Sequence, residues 1–457
     1  MKINKQAEAI GILTIIFIIS VFLIRFYPKS VTRFPVFILL FLIDIYLWSV
    51  ICRKIKSFKP WQNYLLTSVY WLPFLSLLLI SLAGLIFNYT HWNNLIRNYL
   101  IGGIIMVYLS KVIASLLLLF FDVFRLILSS LIYIFKRIKT GRSVLFKMRP
   151  RKRSVAILCF SFGLLLFLVL SGGVFKGVYK FRVKEQIIHI SDLPKGFDGF
   201  KIVQFSDLHL GNWASYSKLE EFVSIVNKLH PDIILFTGDL VNYQSDEAYP
   251  FGNILSQLQA PMGVYCILGN HDYGDYYRWR NDSLKKENMK GLEDFYKRIK
   301  WKLLRNENRL LIRGKDTVTL IGVENWGSMK RFKKRADMSK ALQGMSRRGA
   351  ELLMSHDPSH WDKEVSMKYP DVDLTFSGHT HGMQFGIKTK NINWSPVKLI
   401  YKHWSGLYSV SHKKGKVQYL YVNTGLGNII YPGRVGIIPE ITLFTLYTGP
   451  SSVIIAK

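Results

Sequence analysis

Apolar residues dominate the first 175 positions of the chain in five stretches, each about as long as a membrane-crossing helix. A helix needs roughly 20 apolar residues to cross the hydrocarbon core of a bilayer. Two of the stretches, 64–88 and 154–175, contain no Asp, Glu, Lys or Arg. Buried helices of soluble proteins seldom stay uncharged for so long, so the pattern predicts an α-helical transmembrane bundle over residues 1–176. The five stretches lie near residues 8–27, 34–52, 64–88, 101–121 and 154–175.

The fourth stretch is irregular, because its apolar character continues from Ile101 to Phe135 and exceeds one straight span. Lys111, Asp122 and Arg125 interrupt it. The stretch forms either one span continued by an amphipathic helix or two closely packed spans. Its charged residues either mark a polar site within the bundle or lie at a span end and pair with one another.

Basic residues between the stretches predict the orientation, because cytoplasmic loops are enriched in Lys and Arg. The segment 136–153 holds nine Lys or Arg residues and no acidic residue, and four more basic residues lie within 53–59. With one span at 101–121, both basic segments are cytoplasmic, the amino terminus is inside and everything after residue 175 is extracytoplasmic. With two spans there, the basic segments would lie on opposite sides.

The pattern changes near residue 185, where short β-rich segments begin to alternate with amphipathic helices. Such alternation is typical of an α/β domain, which we predict over residues 185–457. Apolar residues at helical spacing from Leu219 to Leu229 predict a helix after the first of the strands. Strands are expected at Phe200–Phe205, Asp232–Phe236, Val264–Leu268, Leu352–Met354 and Leu374–Phe376.

Metal-competent side chains follow these five strands at the points where the strands end. A single histidine in such a place is usually an ordinary surface or core residue. Five loops of this kind are different, because the ends of strands in α/β sheets gather at one edge, where ligands bind. We therefore expect these side chains to meet, and they are Asp207, His209, Asp239, Asn270, His356, His379 and His381.

The chemistry of these side chains suits two divalent metal ions. Aspartate, histidine and asparagine together favour a borderline or hard ion such as manganese, iron or zinc. Two such ions a few ångströms apart can clamp a phosphoryl group and supply the nucleophile by lowering the pKa of a bound water. The chain has only three cysteines, Cys52, Cys159 and Cys266, which form neither a disulfide framework nor a cysteine zinc site.

The order and spacing of these residues resemble the calcineurin-like metallophosphoesterases. That family carries the blocks D-x-H, G-D, G-N-H-D/E, H and G-H-x-H in this order, and the chain matches every block without substitution. The resemblance extends over about residues 190–446. Within the family, the chain is most similar to a membrane-associated branch that includes the bacterial YkuE and YaeI proteins. It implies two packed β-sheets flanked by helices. The blocks here are Asp207-Leu208-His209, Gly238-Asp239, Gly269-Asn270-His271-Asp272, His356 and Gly378-His379-Thr380-His381.

The resemblance also implies a division of the ligands between the two ions, with Asp239 bridging them. One ion takes Asp207, His209 and His381. The other ion takes Asn270, His356 and His379.

Three further roles follow from the resemblance or lie next to its blocks. The resemblance implies that His271 faces the scissile phosphate and protonates the leaving oxygen, and that Asp272 orients His271 by a hydrogen bond. A surface salt bridge is the alternative for Asp272. Arg434, in a loop rich in Gly and Pro, is a candidate for gripping a phosphate; the alternative is a turn stabilised by its arginine.

The formal net charge of +31 points to an anionic partner or to a basic cytoplasmic loop. We expect membrane lipids and a phosphorylated, lipid or lipid-linked substrate as partners, and no nucleic acid. Trp394, Tyr401 and Trp404 are compatible with a membrane-interface position or with core packing.

The sequence favours a membrane-anchored phosphoesterase that hydrolyses a phosphodiester or pyrophosphate bond. The alternatives are an inactive metal-binding receptor or scaffold, which the complete ligand set and His271 disfavour, and a transporter with an accessory domain. The last is disfavoured because the apolar stretches hold few polar residues.

Overall fold

The chain folds into two compact units in the computed structural model. The first unit comprises 103–168 together with the residues before 92, and the second unit comprises 92–102 together with 169–457. The predicted span near 8–27 lies outside the described residues. The structure describes residues 34–55, 57–86, 92–141, 145–327, 333–345, 349–389, 392–412, 415–450 and 452–454.

Four apolar helices in the described part of the chain are long enough to cross a membrane: α1 (Phe34–Ile55), α2 (Pro60–Ile86), α3 (Asn94–Thr140) and α4 (Arg153–Gly172). Helix α3 runs unbroken for 47 residues, so the irregular fourth stretch is one continuous helix. At 1.5 Å per residue it is about 70 Å long, against a hydrocarbon thickness of about 30 Å.

The three charged residues that interrupt the fourth stretch all form ion pairs within the first unit. Lys111 Nζ lies 2.6 Å from the buried Asp44 carboxylate, and the Tyr108 hydroxyl donates to the same carboxylate at 2.8 Å. Asp122 pairs with Arg125 and with Arg151. Asp122 and Arg125 therefore pair with each other, whereas Lys111 pairs with Asp44 of α1; ionisable side chains within apolar helices need such partners.

The second unit contains the predicted α/β domain, which is built on two mixed β-sheets. One sheet has the strand order β15-β1-β14-β2-β3-β4-β5, and the other has the order β12-β13-β9-β8-β7-β6. The strands β2, β3, β4 and β5 are mutually parallel, as are β7, β8 and β9. The strands are β1 (Arg182–Ile190), β2 (Phe200–Phe205), β3 (Ile233–Phe236), β4 (Val264–Cys266), β5 (Trp301–Leu303), β6 (Glu307–Arg313), β7 (Asp316–Gly322), β8 (Glu351–Met354), β9 (Leu374–Ser377), β10 (Ile387–Lys388), β11 (Asn393–Trp394), β12 (Gly406–Ser411), β13 (Val417–Val422), β14 (Glu440–Thr448) and β15 (Ser452–Ile454).

Alternating apolar side chains build the core between the two sheets. In β3, Ile233 and Leu235 join one buried cluster while Ile234 and Phe236 join another, because successive side chains of a strand point to opposite faces. The cluster that contains Ile233 and Leu235 also includes Leu352 from β8, on the second sheet. The sheets therefore pack face to face, as the family resemblance implied.

Helices cover the outer faces of both sheets. Helix α5 (Tyr216–Lys228) begins where the Ser215 side chain accepts from the Lys218 N–H, and buries Leu219 and Phe222 against the first sheet. The helix predicted from the 219–229 spacing is thus present. The remaining helices are α6 (Gly252–Leu255), α7 (Asp282–Arg298), α8 (Met338–Ala341) and α9 (Ser366–Lys368).

Candidate metal centre at the strand ends

The predicted ligands lie in the loops that leave the carboxyl ends of five strands. Asp207 and His209 follow β2, Asp239 follows β3, and Asn270 follows β4. His356 follows β8, while His379 and His381 follow β9. The structure brings six of these side chains into two compact sets, so distant segments of both sheets meet at one edge.

The backbone of these loops is left-handed at five of the seven candidate ligands, with φ between 47° and 72°. Such conformations are uncommon outside glycine and cluster at functional sites. Glycines permit the close approach of neighbouring loops. A Cβ on Gly269 would lie 2.1 Å from Asp239 Oδ1, and one on Gly378 would lie 2.6 Å from Asp207 Oδ2. The glycines of the G-N-H-D and G-H-T-H blocks are therefore packing requirements.

The first set consists of Asp207, His209 and His381. His381 Nε2 lies 3.2 Å from Asp207 Oδ1 and 3.1 Å from His209 Nε2. All three side chains are buried. Their ligand atoms lie within 4.8 Å of one another, which allows them to share one ion.

The second set consists of Asp239, His356 and His379. His356 Nε2 lies 3.1 Å from Asp239 Oδ2 and 3.2 Å from His379 Nδ1. The same Asp239 oxygen lies 3.7 Å from His209 Nε2, in the first set. Asp239 is therefore the side chain that stands between the two sets.

Asn270 adds an amide oxygen. Its Nδ2 donates to the Tyr276 hydroxyl at 2.9 Å, whereas its Oδ1 is buried and has no hydrogen-bond partner among the described residues. A buried carbonyl oxygen left without a donor is costly, and a metal ion would satisfy it.

The protonation states of these side chains favour the binding of cations. Burial opposes charge on Asp207 and Asp239, yet the surrounding imidazoles hold the pKa of both carboxyls below the usual range. Burial lowers the pKa of His209 and brings that of His379 to about 4, so both rings are neutral and offer lone pairs. Burial also disfavours charge on His356, but Asp239 raises the pKa of this histidine to about 10, so the position favours positive charge.

This donor set fits two divalent ions. Ionised carboxylates, imidazoles and one unpaired amide oxygen are ligands that manganese, iron and zinc accept. The second nitrogen of His356 is fixed, because its Nδ1 lies 2.7 Å from the Thr237 carbonyl oxygen. Such an outer hydrogen bond orients a ligating histidine.

His271 lies beside both sets without belonging to either. Its backbone N–H donates to Asp239 Oδ1 at 2.8 Å, and its Nδ1 lies 2.9 Å from the Asn242 carbonyl oxygen. The ring stands edge-on to that of His209, with centroids 4.9 Å apart. Burial lowers the pKa of His271.

Asp272 does not orient His271 as predicted. Its carboxylate is fully buried and accepts backbone N–H groups from the loops after β3 and β4, while the Asn242 carbonyl holds the His271 ring. Burial and Asp239 raise the pKa of Asp272 to about 7, although the N–H donors favour the ionised form. The four donors are Asp239 at 2.9 Å, Leu240 at 2.8 Å, Val241 at 3.2 Å and Gly269 at 2.9 Å.

Arg434 is arranged as in the alternative interpretation, a loop stabilised by its arginine. The side chain is buried and donates to the carbonyl oxygens of Gly427 and Thr424, at 2.6 to 3.0 Å. Its Nη2 also lies 3.3 Å from His381 Nδ1. Its contacts support a candidate ligand, and they leave the guanidinium turned to the protein rather than to a substrate.

A chain of asparagines leads from His271 to the start of α3. The Asn242 side chain accepts from Asn212 Nδ2 at 3.3 Å, and the same nitrogen donates to the Asn428 carbonyl at 2.6 Å. Asn428 Oδ1 accepts from Asn98 Nδ2 at 3.1 Å, with both residues buried. Asn98 belongs to the first turns of α3, which form part of the second unit.

Sequence reasoning did not find Asn98, Asn212, Asn242 or Tyr276, because isolated polar residues outside the five blocks carry no distinguishing signal. Tyr401 was noted only as a membrane-interface or core residue. Its hydroxyl lies 2.7 Å from His379 Nε2, and the residue is largely buried, as is Trp404.

Comparison with known families gives two matches. The family described as calcineurin-like phosphoesterase matches residues 200–383. The family described as "probable calcineurin-like phosphoesterase, transmembrane domain" matches residues 29–178.

Individual relatives agree with these matches. The chain is 33% identical to the uncharacterized metallophosphoesterase YkuE of Bacillus subtilis, over 57% of this chain and 84% of that protein. It is 31% identical to a transmembrane protein with metallophosphoesterase domain of Danio rerio, over 58% of this chain and 57% of that protein. It is 28% identical to the UDP-2,3-diacylglucosamine pyrophosphatase LpxG of Chlamydia muridarum, over 51% and 81% respectively.

The ordered ligand blocks, the two-sheet fold and the relative matched over most of its length lead to one assignment. The chain belongs to the calcineurin-like phosphoesterases, metal-dependent hydrolases of phosphoric esters, and it joins this catalytic domain to a membrane-spanning region.

Proposed function

We propose that the chain hydrolyses a phosphodiester or pyrophosphate bond of a lipid or lipid-linked substrate at a dinuclear metal centre. The observation that carries this proposal is the placement of Asp239 between two ligand sets in a unit that also contains the ends of two apolar helices. The relatives named as pyrophosphatases of a diacylated sugar nucleotide favour such a substrate.

In the proposed centre the ligands would divide as the family resemblance implies. Asp207, His209 and His381 would hold one ion, Asn270, His356 and His379 would hold the other, and Asp239 would be shared between them. When bound, the two divalent ions supply Lewis acidity toward the phosphoryl group and generate a nucleophile from water at neutral pH.

His271 is the proposed general acid. The Asn242 carbonyl fixes the ring through Nδ1, and the Asp239 carboxylate fixes the backbone of the same residue. With Nδ1–H held in this way, Nε2 carries a proton only in the imidazolium form, which burial disfavours while Asp239 and the Asn242 carbonyl favour it. In that form Nε2–H gives its proton to the leaving oxygen and the ring becomes neutral, a contribution of about 10² to 10⁴ in rate. Asp272 acts indirectly, by holding the loops that carry Asp239 and His271.

We further propose that the catalytic domain faces the extracytoplasmic side. Because α3 is continuous, the basic segments 53–59 and 136–153 fall on the same side of the membrane, which the excess of Lys and Arg makes cytoplasmic. The start of α3 and the end of α4 then lie on the opposite side. Residues from both ends belong to the unit that contains the catalytic domain, in agreement with this orientation.

Replacing Asp239 tests the bridge. We expect Asp239→Ala to weaken binding of both ions by at least about 100-fold, since loss of a supporting group alone costs 10- to 100-fold. Metal analysis of dialysed protein and the metal-induced rise in Tm measure this. The matched control is Asp246→Ala, an exposed carboxylate in the same region. Retention of two ions by the Asp239 variant would contradict the bridging role.

Replacing His271 tests the proton donor. We expect His271→Ala to lower kcat by about 10² to 10⁴ with an aryl phosphodiester and manganese. The loss should be larger with phenol as leaving group than with nitrophenol, because a poor leaving group depends more on protonation. His412→Ala, outside the centre, is the control. An equal loss with both leaving groups would argue against a proton donor.

Replacing Asn98 tests the asparagine chain. We expect Asn98→Ala to lower kcat about 2- to 10-fold, the value of one hydrogen bond, with KM unchanged. The loss of kcat should be larger for the substrate with phenol as leaving group than for the one with nitrophenol. The control is Ile96→Ala, an exposed residue one half-turn away. Equal effects of both variants would show that Asn98 acts only through the stability of α3.

Protease accessibility tests the orientation. We expect a protease site inserted at Gly314, in the exposed β6–β7 turn, to be cleaved by external protease in intact cells. A site inserted at Lys147, between α3 and α4, should be cleaved only after permeabilisation. The reverse pattern would place the catalytic domain in the cytoplasm.

A further inference from the structure

The segment 385–408 presents exposed apolar side chains beside the metal centre. Ile387 and Trp394 are cross-strand partners in the β10–β11 hairpin, and Leu399 follows in a 3₁₀ turn with 90% of its surface exposed. We call this surface the apolar rim. It comprises Ile387, Ile392, Trp394, Leu399 and Ile400 of this segment, together with Ile430 from the loop 428–434, all of them exposed.

The apolar rim adjoins the proposed centre through Tyr401. Ile400 precedes Tyr401, whose hydroxyl lies 2.7 Å from His379 Nε2. The opposite face of this turn is buried, because Val397 and Tyr401 pack with Trp404 and Ile437. The exposed side chains therefore project from a turn whose opposite face packs in the protein interior.

Hydrogen bonds connect the residues next to the apolar rim with the end of α4. The backbones of Gly386 and Gln384 exchange hydrogen bonds with Val435, at 2.9 and 2.7 Å. Gln384 Nε2 donates to the Tyr431 carbonyl at 2.6 Å. The Tyr431 hydroxyl in turn donates to the Leu170 carbonyl, in the last turn of α4.

The loop that carries Ile430 touches α3 as well. A Cβ on Gly102 would lie 2.1 Å from Pro432 Cδ, so that glycine allows the loop to approach the helix. Arg434 N–H donates to the Gly173 carbonyl at 3.1 Å, just beyond α4. One loop thus links the apolar rim to the helix ends.

The composition of the segment indicates which occupant covers it. Residues 385–408 contain four lysines and no acidic residue, and Lys398 and Lys402 are exposed beside Leu399. Tryptophan, aliphatic side chains and lysines are the residues that favour the interface of a membrane with anionic lipid. The surface of an anionic membrane is therefore the occupant that best matches the side chains of the apolar rim.

We propose that the apolar rim inserts into the interfacial layer of the bilayer that anchors the chain, and so holds the metal centre at the level of lipid headgroups. The insertion is independent of the reaction. Its consequence, delivery of a lipid phosphate to the centre, rests on the proposed function.

The first arm of the test measures insertion without activity. A cysteine at position 399, Leu399→Cys, carries an environment-sensitive fluorophore in the full chain with Cys52, Cys159 and Cys266 replaced by alanine. The control is Ile312→Cys on edge strand β6, where the native side chain is likewise exposed, at 63%. In vesicles of neutral and anionic phospholipid we expect a blue shift and quenching by brominated lipid at position 399 only.

Two results would overturn the proposal. One is equal emission from both positions in vesicles. The other is shielding of position 399 that depends on protein concentration in lipid-free detergent, which would assign the apolar rim to a second copy of the chain.

The second arm separates insertion from catalysis. We expect Leu399→Asp to lower the ratio of turnover on a vesicle-borne phosphodiester to turnover on a soluble aryl phosphodiester by about tenfold. Ile312→Asp should leave the ratio unchanged, and equal ratios in both variants would count against insertion. If the wild type cleaves neither substrate with any divalent metal, the proposed function fails while the fluorescence still decides the insertion.

Discussion

The loops of the candidate metal centre depend on one buried carboxyl group that lies outside both ligand sets, that of Asp272. A buried polar group is tolerated only when it is hydrogen-bonded, and here four backbone N–H groups from two loops converge on it. These loops leave adjacent parallel strands, β3 and β4. With them fixed, the side chain of Asp239 can accept the N–H of His271 through Oδ1 while Oδ2 stands between the two ligand sets.

The parallel strands explain why so many ligands can meet. Their carboxyl ends share an edge, so a residue just beyond each strand needs only a short, tightly curved loop to face the others. The cost is local: several of these residues adopt left-handed backbone conformations, each of which is stable only where surrounding contacts over-determine it. The glycines that flank the ligands remove the Cβ atoms that would keep the loops apart.

The strands and the gathering of the candidate ligands at one edge could be predicted from the sequence because these features are local or repeated, whereas the two-sheet fold was implied by the family resemblance. Each ligand block directly follows an apolar strand, and each strand keeps its own alternation. The partners of Asp272, Arg434 and Asn98 could not be predicted in this way. The contact of Asn98 with Asn428 joins residues 330 positions apart, and the role of Arg434 follows from which carbonyl groups the loops turn toward it. Such partners are set by tertiary structure, which no short pattern encodes.

The helix ends held within the catalytic unit bear on which substrates the centre can reach. A lipid phosphate cannot move far from the bilayer, because each CH₂ group drawn into water costs about 0.8 kcal/mol, and an acyl chain has many. An enzyme for such a substrate therefore has to bring its centre to the headgroups. The loop 428–434 connects the candidate centre to the helix ends, since it contacts His381 through Arg434 and forms hydrogen bonds to the start of α3 and the end of α4 through Asn428 and Tyr431. Under the proposed function, these two hydrogen bonds would hold the centre near the helix ends, whereas a flexible linker would not.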